Sequence, residues 1–278
     1  MLLPALHKCR PAAHMQSQEH AGTFPRQEMT DSGTVATQIA DGIATVRFAH
    51  PKGNSLPSAL LANLAETIRA LGDERSARVV VLRSEGTGPF CAGASFPELQ
   101  AIADERAGKR FFMGFATLLL AMIRCPKLIV TRVHGKVVGG GVGMVAASDY
   151  ALATGTAAVR LSELAVGIGP FVVGPVIERK VGLAAFSALA VDADWRDARW
   201  AETHGLYASL HPTADELDRA VLGIAERLAA SNPEAMSRLK AAFWTGTEGW
   251  DDLLERRAEA SGTLVLSDFA RRAIAGKG

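Results

Sequence analysis

Val137-Val138-Gly139-Gly140-Gly141-Val142-Gly143-Met144-Val145-Ala146-Ala147 is the stretch on which the reading of this chain turns. Three successive glycines expose bare backbone amides, and the run of small apolar residues after them predicts a buried helix whose N-terminus points at whatever occupies the loop. Such an end favours negative charge, so the ligand is either a phosphate or an oxyanion formed during a reaction. Gly139, Gly141 and Met144, or Gly141, Gly143 and Ala146, approximate the GxGxxG/A fingerprint of dinucleotide sites, with Glu163 twenty residues beyond Gly143 as a ribose-binding acid. Two features count against that reading. Met144 is bulky where close helix packing needs a glycine, and His134-Gly135-Lys136 interrupts the preceding strand. A dinucleotide-dependent oxidoreductase therefore stands as an alternative.

Upstream, Phe90-Cys91-Ala92-Gly93-Ala94-Ser95-Phe96 follows a predicted strand at Val79-Val80-Val81-Leu82 and leads to a helix around Pro97-Glu98-Leu99. Ligands in α/β sheets collect where the chain leaves the carboxyl end of a strand, and Gly93 lets one approach the backbone, so the Ala94 amide is a candidate donor. Val35–Ile39 and Ile43–Phe48 flank Asp41-Gly42, a two-residue hairpin signal. Leu60, Leu61, Leu64, Ile68 and Leu71 share one helical face behind Pro57, and Leu128-Ile129-Val130-Thr131 reads as a further strand. Short apolar strands alternating with helices predict an α/β fold with a mainly parallel sheet. Beyond Val172 the pattern is mostly helical, with helices starting near Thr213 and Pro233. The expected division is a leader at 1–33 without apolar periodicity, a core at 34–190 and a helical region at 191–278.

Composition narrows the classes of function. The 278 residues are 48% hydrophobic and 21% charged, a globular balance, and 30 Lys plus Arg against 29 Asp plus Glu leave a net charge of +1. No excess of cations announces a nucleic-acid partner. Cys9, Cys91 and Cys125 are far apart and no His cluster has metal-ligand spacing, so neither a disulfide framework nor a metal site is expected, and a reducing, cytoplasmic location is the simplest. No run reaches the ~18–20 apolar residues a membrane span needs.

Taken together, Asn54-Ser55-Leu56, Phe90–Ala94, Gly135–Asp149 and Ser162–Pro170 resemble, in order and spacing, the crotonase family, also called the enoyl-CoA hydratase/isomerase family. The resemblance runs from about Thr34 to the C-terminus. It implies a spiral of repeated ββα units with a helical C-terminal oligomerisation region, assembled as a homotrimer or dimer of trimers, acting on acyl-CoA. Coenzyme A is then part of the substrate, and no cofactor is needed. Ala94 and Gly140 correspond to the family's two oxyanion-hole donors, with Ser55, Leu56, Ala92, Gly93, Ser95, Phe96 and Gly139 as substrate-binding neighbours.

Of the two glutamates that flank substrate in family hydratases, the first position is Gly143 here and the second is Glu163. Only Glu163 is left to carry a proton, and its glycine-bounded loop should enclose the carboxylate in an apolar pocket that raises its pKa. Eight residues beyond it, where several relatives use an aspartate, stands Phe171, which argues against dehalogenase, dienoyl isomerase and related hydrolase chemistry. One carboxylate suffices for a double-bond shift or for an unusual hydration, so both stay open and the expected enzyme is an enoyl-CoA hydratase-like lyase or a Δ3-Δ2 isomerase, the hydratase label being the broader. Ser95-Phe96 replaces the common Asp-aliphatic pair, implying a reshaped acyl pocket. Glu98 is either a substitute second acid or a helix N-terminal residue, the second being preferred. His134 and Asp149 read as structural, Trp195, Trp200, Phe243, Trp244 and Trp250 as packing residues. Lys52 and Arg256 are among several cations that could meet coenzyme A phosphates. With Gly143 lacking an acid, a catalytically silent acyl-CoA-binding protein is a third reading.

Overall fold

Asp41 and Gly42 adopt φ of 51° and 79°, the double left-handed turn that matches the twist of a tight hairpin. It joins β1 (Thr34–Ala40) to β2 (Ile43–Ala49) in antiparallel register, Thr34 opposite Ala49. The computed structural model describes residues 32–276, so nearly all of the expected leader, Cys9 included, lies outside the described residues. After β2 come α1 (Ser58–Asp73), β3 (Val79–Ser84), α2 (Phe96–Gln100), α3 (Glu105–Arg124), β4 (Ile129–Val133), β5 (Val137–Val138), α4 (Gly140–Ala147), β6 (Tyr150–Thr154) and β7 (Val159–Arg160). A short 3-10 turn (Leu164–Val166), α5 (Gly174–Asp192), α6 (Ala198–Thr203), β8 (Ser209–His211), α7 (Ala214–Ala229), α8 (Pro233–Phe243), α9 (Trp250–Leu264) and α10 (Asp268–Ala275) complete the chain.

The main sheet has strand order β1-β2-β3-β4-β6-β8, parallel throughout except for the opening hairpin. Val79, Val81, Val130 and Leu152 pack on α7 through Leu217, Val221 and Ala225, while Val80, Leu82 and Ile129 face the larger core with α1, α3 and α4. Burial on both faces is why β3 and β4 read as continuous apolar runs. β5 and β7 form a separate two-stranded parallel sheet. Pro57 precedes α1 as its N-cap, one residue earlier than the first-turn position expected of it.

Two features depart from the sequence expectation. α3 was not among the predicted elements, yet its Phe111, Phe112, Phe115 and Leu119 form the floor under α4. The division expected at residue 190 falls inside α5, and the region beyond it is not purely helical: β8 returns to pair with β6, Leu152 opposite Ser209. Leu254, Ala258, Ala270 and Ile274 of α9 and α10 join the same core as the sheet, so the C-terminal third is packed onto the α/β core within one chain. Among the described residues no helix is long and apolar enough to cross a membrane.

Candidate active site

The two glycine-containing loops meet. Cys91 bridges to Val137, with the Val138 N–H donating to the Cys91 carbonyl at 2.9 Å, so the loop after β3 lies beside the entry to α4. Leu56 N–H donates to the Gly93 carbonyl at 2.8 Å. A trans peptide points its N–H opposite its C=O, so the Ala94 N–H faces away from Leu56 and toward the cavity that Ala94 lines. Gly93 reaches this orientation at φ 94°, in a region that other residues rarely enter.

The same argument orients the second donor. The Gly139 carbonyl accepts from Val142 at 2.9 Å and from Gly143 at 3.4 Å as the first acceptor of α4. The Gly140 N–H in the same peptide unit therefore points out of the helix N-terminus. Gly139 holds φ 53° and ψ −117°, open to glycine alone. Ala94 and Gly140 line one cavity of about 80 Å³, together with Glu163 and a wall that includes Phe96, Phe112, Phe115 and Val173.

Glu163 begins the 3-10 turn, its carbonyl accepting from Val166 at 3.1 Å and Ile168 at 3.0 Å. Its carboxyl stands over the second loop: a Cβ built on Gly139 would lie 2.9 Å from Oε1. The residue is partly exposed, but Oε2 is shielded and has no hydrogen-bond partner among the described residues. Burial pushes the Glu163 pKa up to about 7, with the backbone N–H groups of Glu163 and Ser162 pulling weakly the other way. A carboxyl at the mouth of the glycine loop also opposes any pyrophosphate there, so the dinucleotide reading loses its site.

Position 143 is closed. A Cβ on Gly143 would lie 2.8 Å from Val173 Cγ1 and 2.9 Å from its Cβ, so valine fills the space a longer side chain would enter. Glu98 points elsewhere, its Oε2 accepting from Ser58 N–H at 2.9 Å and Ser58 Oγ at 2.6 Å. It caps α1 and is not a second acid. Glu163 is the one carboxylate among the described residues lining the cavity.

Of the expected substrate-binding residues, Ala92, Gly93, Phe96 and Gly139 line the cavity with the two donors. Ser55, Leu56 and Ser95 do not. Ser55 Oγ is 2.9 Å from His50 Nδ1, Leu56 is buried and anchors Gly93, and Ser95 caps α2; these three hold the loops in place. His134 lies outside the cavity, its pKa driven down to about 4 by burial and by Arg132 and Arg83, which leaves it neutral and structural. Asp149 is a buried ion-pair partner of Lys240 at 2.9 Å. Cys91, packed under Gly141, has its thiol pushed up to about 12 by burial and is unreactive. Among the described residues no group of three or more His, Cys, Asp or Glu gathers as a metal site.

Sequence reasoning missed Val173, Phe112, Phe115 and Ser261, all cavity residues. Phe112 and Phe115 fall three apart on the buried face of α3, a spacing that marks a helix face but not a cavity. Nothing local marks Val173 or Ser261.

The sequence profile described as Enoyl-CoA hydratase/isomerase matches residues 38–271. The Mycobacterium tuberculosis protein named (7aS)-7a-methyl-1,5-dioxo-2,3,5,6,7,7a-hexahydro-1H-indene-carboxyl-CoA hydrolase is 30% identical over 213 residues, covering 75% of this chain and 83% of that protein. Rat mitochondrial methylglutaconyl-CoA hydratase is 28% identical over 199 residues, 70% of this chain and 63% of its own length. Among solved structures, an enoyl-CoA hydratase from Mycobacterium avium superposes with a TM-score of 0.76 at 28% identity, covering 90% of this chain and 96% of that one. An enoyl-CoA hydratase from Bacillus halodurans gives 0.81 at 21% identity over 87% and 99%, a likeness of fold. With that profile matching residues 38–271 and the fold shared with these solved structures, the chain belongs to the crotonase, or enoyl-CoA hydratase/isomerase, family of enzymes acting on CoA thioesters.

Proposed function

We propose that this protein moves a proton at the carbon beside an acyl-CoA thioester through an enolate, and that its reaction is the shift of a carbon–carbon double bond into conjugation. The observation that carries this reading is that Glu163 is the one carboxyl group among the described residues lining an apolar cavity with two backbone donors, while Val173 fills the place of a second acid. The Ala94 and Gly140 N–H groups hold the thioester oxygen as it gains charge, each such donor being worth about 2.7–4 kcal/mol. Glu163 takes a proton from C2 of a 3-enoyl thioester, the electron pair delocalises to the oxygen, and the same carboxyl returns the proton to C4. The C2–H bond breaks, the C4–H bond forms, and no water is consumed. A carboxyl titrating near 7 both accepts and gives up a proton readily at neutral pH.

Hydration of a 2-enoyl thioester has less support, because one acid must then both activate water and supply the Cα proton. Hydrolysis is a second reading: the M. tuberculosis relative is named a hydrolase, and a near-neutral carboxylate is also a fit base for water. As proposed, the reaction draws on no metal or redox cofactor, and we place the protein in the cytoplasm as a homotrimer or dimer of trimers.

The test supplies purified protein with 3-enoyl-CoA and 2-enoyl-CoA in parallel. The expected result is a rise of conjugated thioester absorbance from the 3-enoyl substrate, lost in Glu163→Gln. Loss of 2-enoyl absorbance with one water added to the product mass would replace the isomerase reading with a hydratase one. Release of free thiol would replace it with hydrolysis. Acyl-CoA binding with no turnover of any of these would leave a silent binding protein.

A further inference from the structure

Phe171 stands between two cavities. The catalytic cavity holds about 80 Å³, and a second cavity of about 210 Å³ lies on the other side of Pro170 and Phe171, which line both. The second cavity has apolar inner walls from Pro175, Phe186 and Ala190 and a rim carrying Glu178 and Arg257, both of them exposed. Apolar walls behind a charged rim suit an apolar ligand.

The partition is held from behind. Gly174 N–H donates to the Pro170 carbonyl at 2.8 Å, and Val172 and Val173 are 4% and 5% exposed, which fixes the backbone of the turn. The Phe171 ring lies against Gly169, where an added Cβ would come within 2.9 Å of it. Of the two side chains that line both spaces, Phe171 is the larger.

We propose that Phe171 is a specificity-determining partition that confines this protein to compact acyl groups, and that the cavity behind it is an acyl-tail subsite. The proposal rests on the reading that the thioester sits at Ala94 and Gly140. A long acyl tail in the wild-type protein has no enclosed path beyond the first cavity, so its outer methylenes stay in water and add nothing to binding.

The test measures binding of two saturated, unreactive thioesters, butanoyl-CoA and dodecanoyl-CoA, by titration calorimetry. Phe171→Ala is expected to raise the ratio of dodecanoyl-CoA to butanoyl-CoA affinity about tenfold or more above that of wild type. Phe171→Ala combined with Ala190→Phe, which plugs the second cavity, is expected to lose that gain. Should Phe171→Ala fail to fold by circular dichroism, Phe171→Leu carries the same comparison. An unchanged ratio, or a gain that survives the plug, overturns the partition while leaving the acyl-CoA reading intact. If wild type binds neither thioester, both fall.

Discussion

In the proposed reaction Glu163 combines two demands that pull against each other, a base at working pH and a carboxyl enclosed in apolar walls. Its folded pKa lies above its ordinary value of 4.5, at about 7, so the folded state binds a proton more tightly than the unfolded chain. The stabilisation from that proton is complete below about pH 4.5 and is lost as pH rises through 7. Glu163→Gln should therefore gain on wild type in unfolding free energy across that window, by about 2–3 kcal/mol above it, while its turnover falls by about a hundred- to ten-thousandfold. Denaturant titrations at several pH values check the first, steady-state kinetics the second. If Glu163 is the base, wild-type kcat/KM should fall tenfold per pH unit below about 7. Gly143 makes the complementary case, since its missing side chain is what Val173 requires. Gly143→Ala should lose about 1–3 kcal/mol by overpacking, and Val173→Ala in the same chain should recover part of it, a coupling that a double-mutant cycle measures.

Among the elements, α3 and α9 decide the shape of the cavity floor. They cross where neither has a side chain: a Cβ on Gly262 would lie 2.6 Å from Lys109 N and 2.9 Å from Gly108 C. Backbone cannot swing aside as a side-chain tip can, so Gly262→Ala must part the helices. Because Phe112 and Phe115 of α3 and Ser261 of α9 all line the cavity, that parting reaches the site. The expected outcome is a lower denaturant midpoint with an unchanged m-value, by about 1–3 kcal/mol, together with a reduced kcat/KM. A stability loss with unaltered kinetics would show that the crossing does not shape the site.

At the scale of the whole molecule, one buried ion pair ties the C-terminal helices to the sheet. Lys240 of α8 is 2% exposed and donates to the Lys127 carbonyl at 2.9 Å as well as pairing with Asp149. Asp149 in turn accepts from Ile129 N–H, the first residue of β4, at 2.7 Å. Replacing Lys240 by Met would leave Asp149 buried without its cation, a change that costs about 3–5 kcal/mol where one partner of an enclosed pair is removed. Thermal unfolding should then begin at markedly lower temperature. Lys240→Met with Asp149→Asn, which removes both charges, should recover much of the loss.

The sequence by itself determined the hairpin, the alternation of strand and helix, and the two glycine loops that expose bare backbone amides. Each of these is written in local chemistry: Asp41-Gly42 accepts two left-handed residues, and Gly93 and Gly139–Gly141 free the backbone where no side chain would fit. Glu163 was legible as a candidate proton carrier only through the family resemblance, which pairs it with a position that is Gly143 here. Only the tertiary structure decided that Ser55, Leu56 and Ser95 brace the loops rather than line the cavity, that Val173 occupies the space above Gly143, and that β8 returns to the sheet from beyond residue 190. A phenylalanine or valine has the same local signature in a core as in a cavity wall. Whether the atoms opposite it are present or absent depends on contacts between residues distant in sequence.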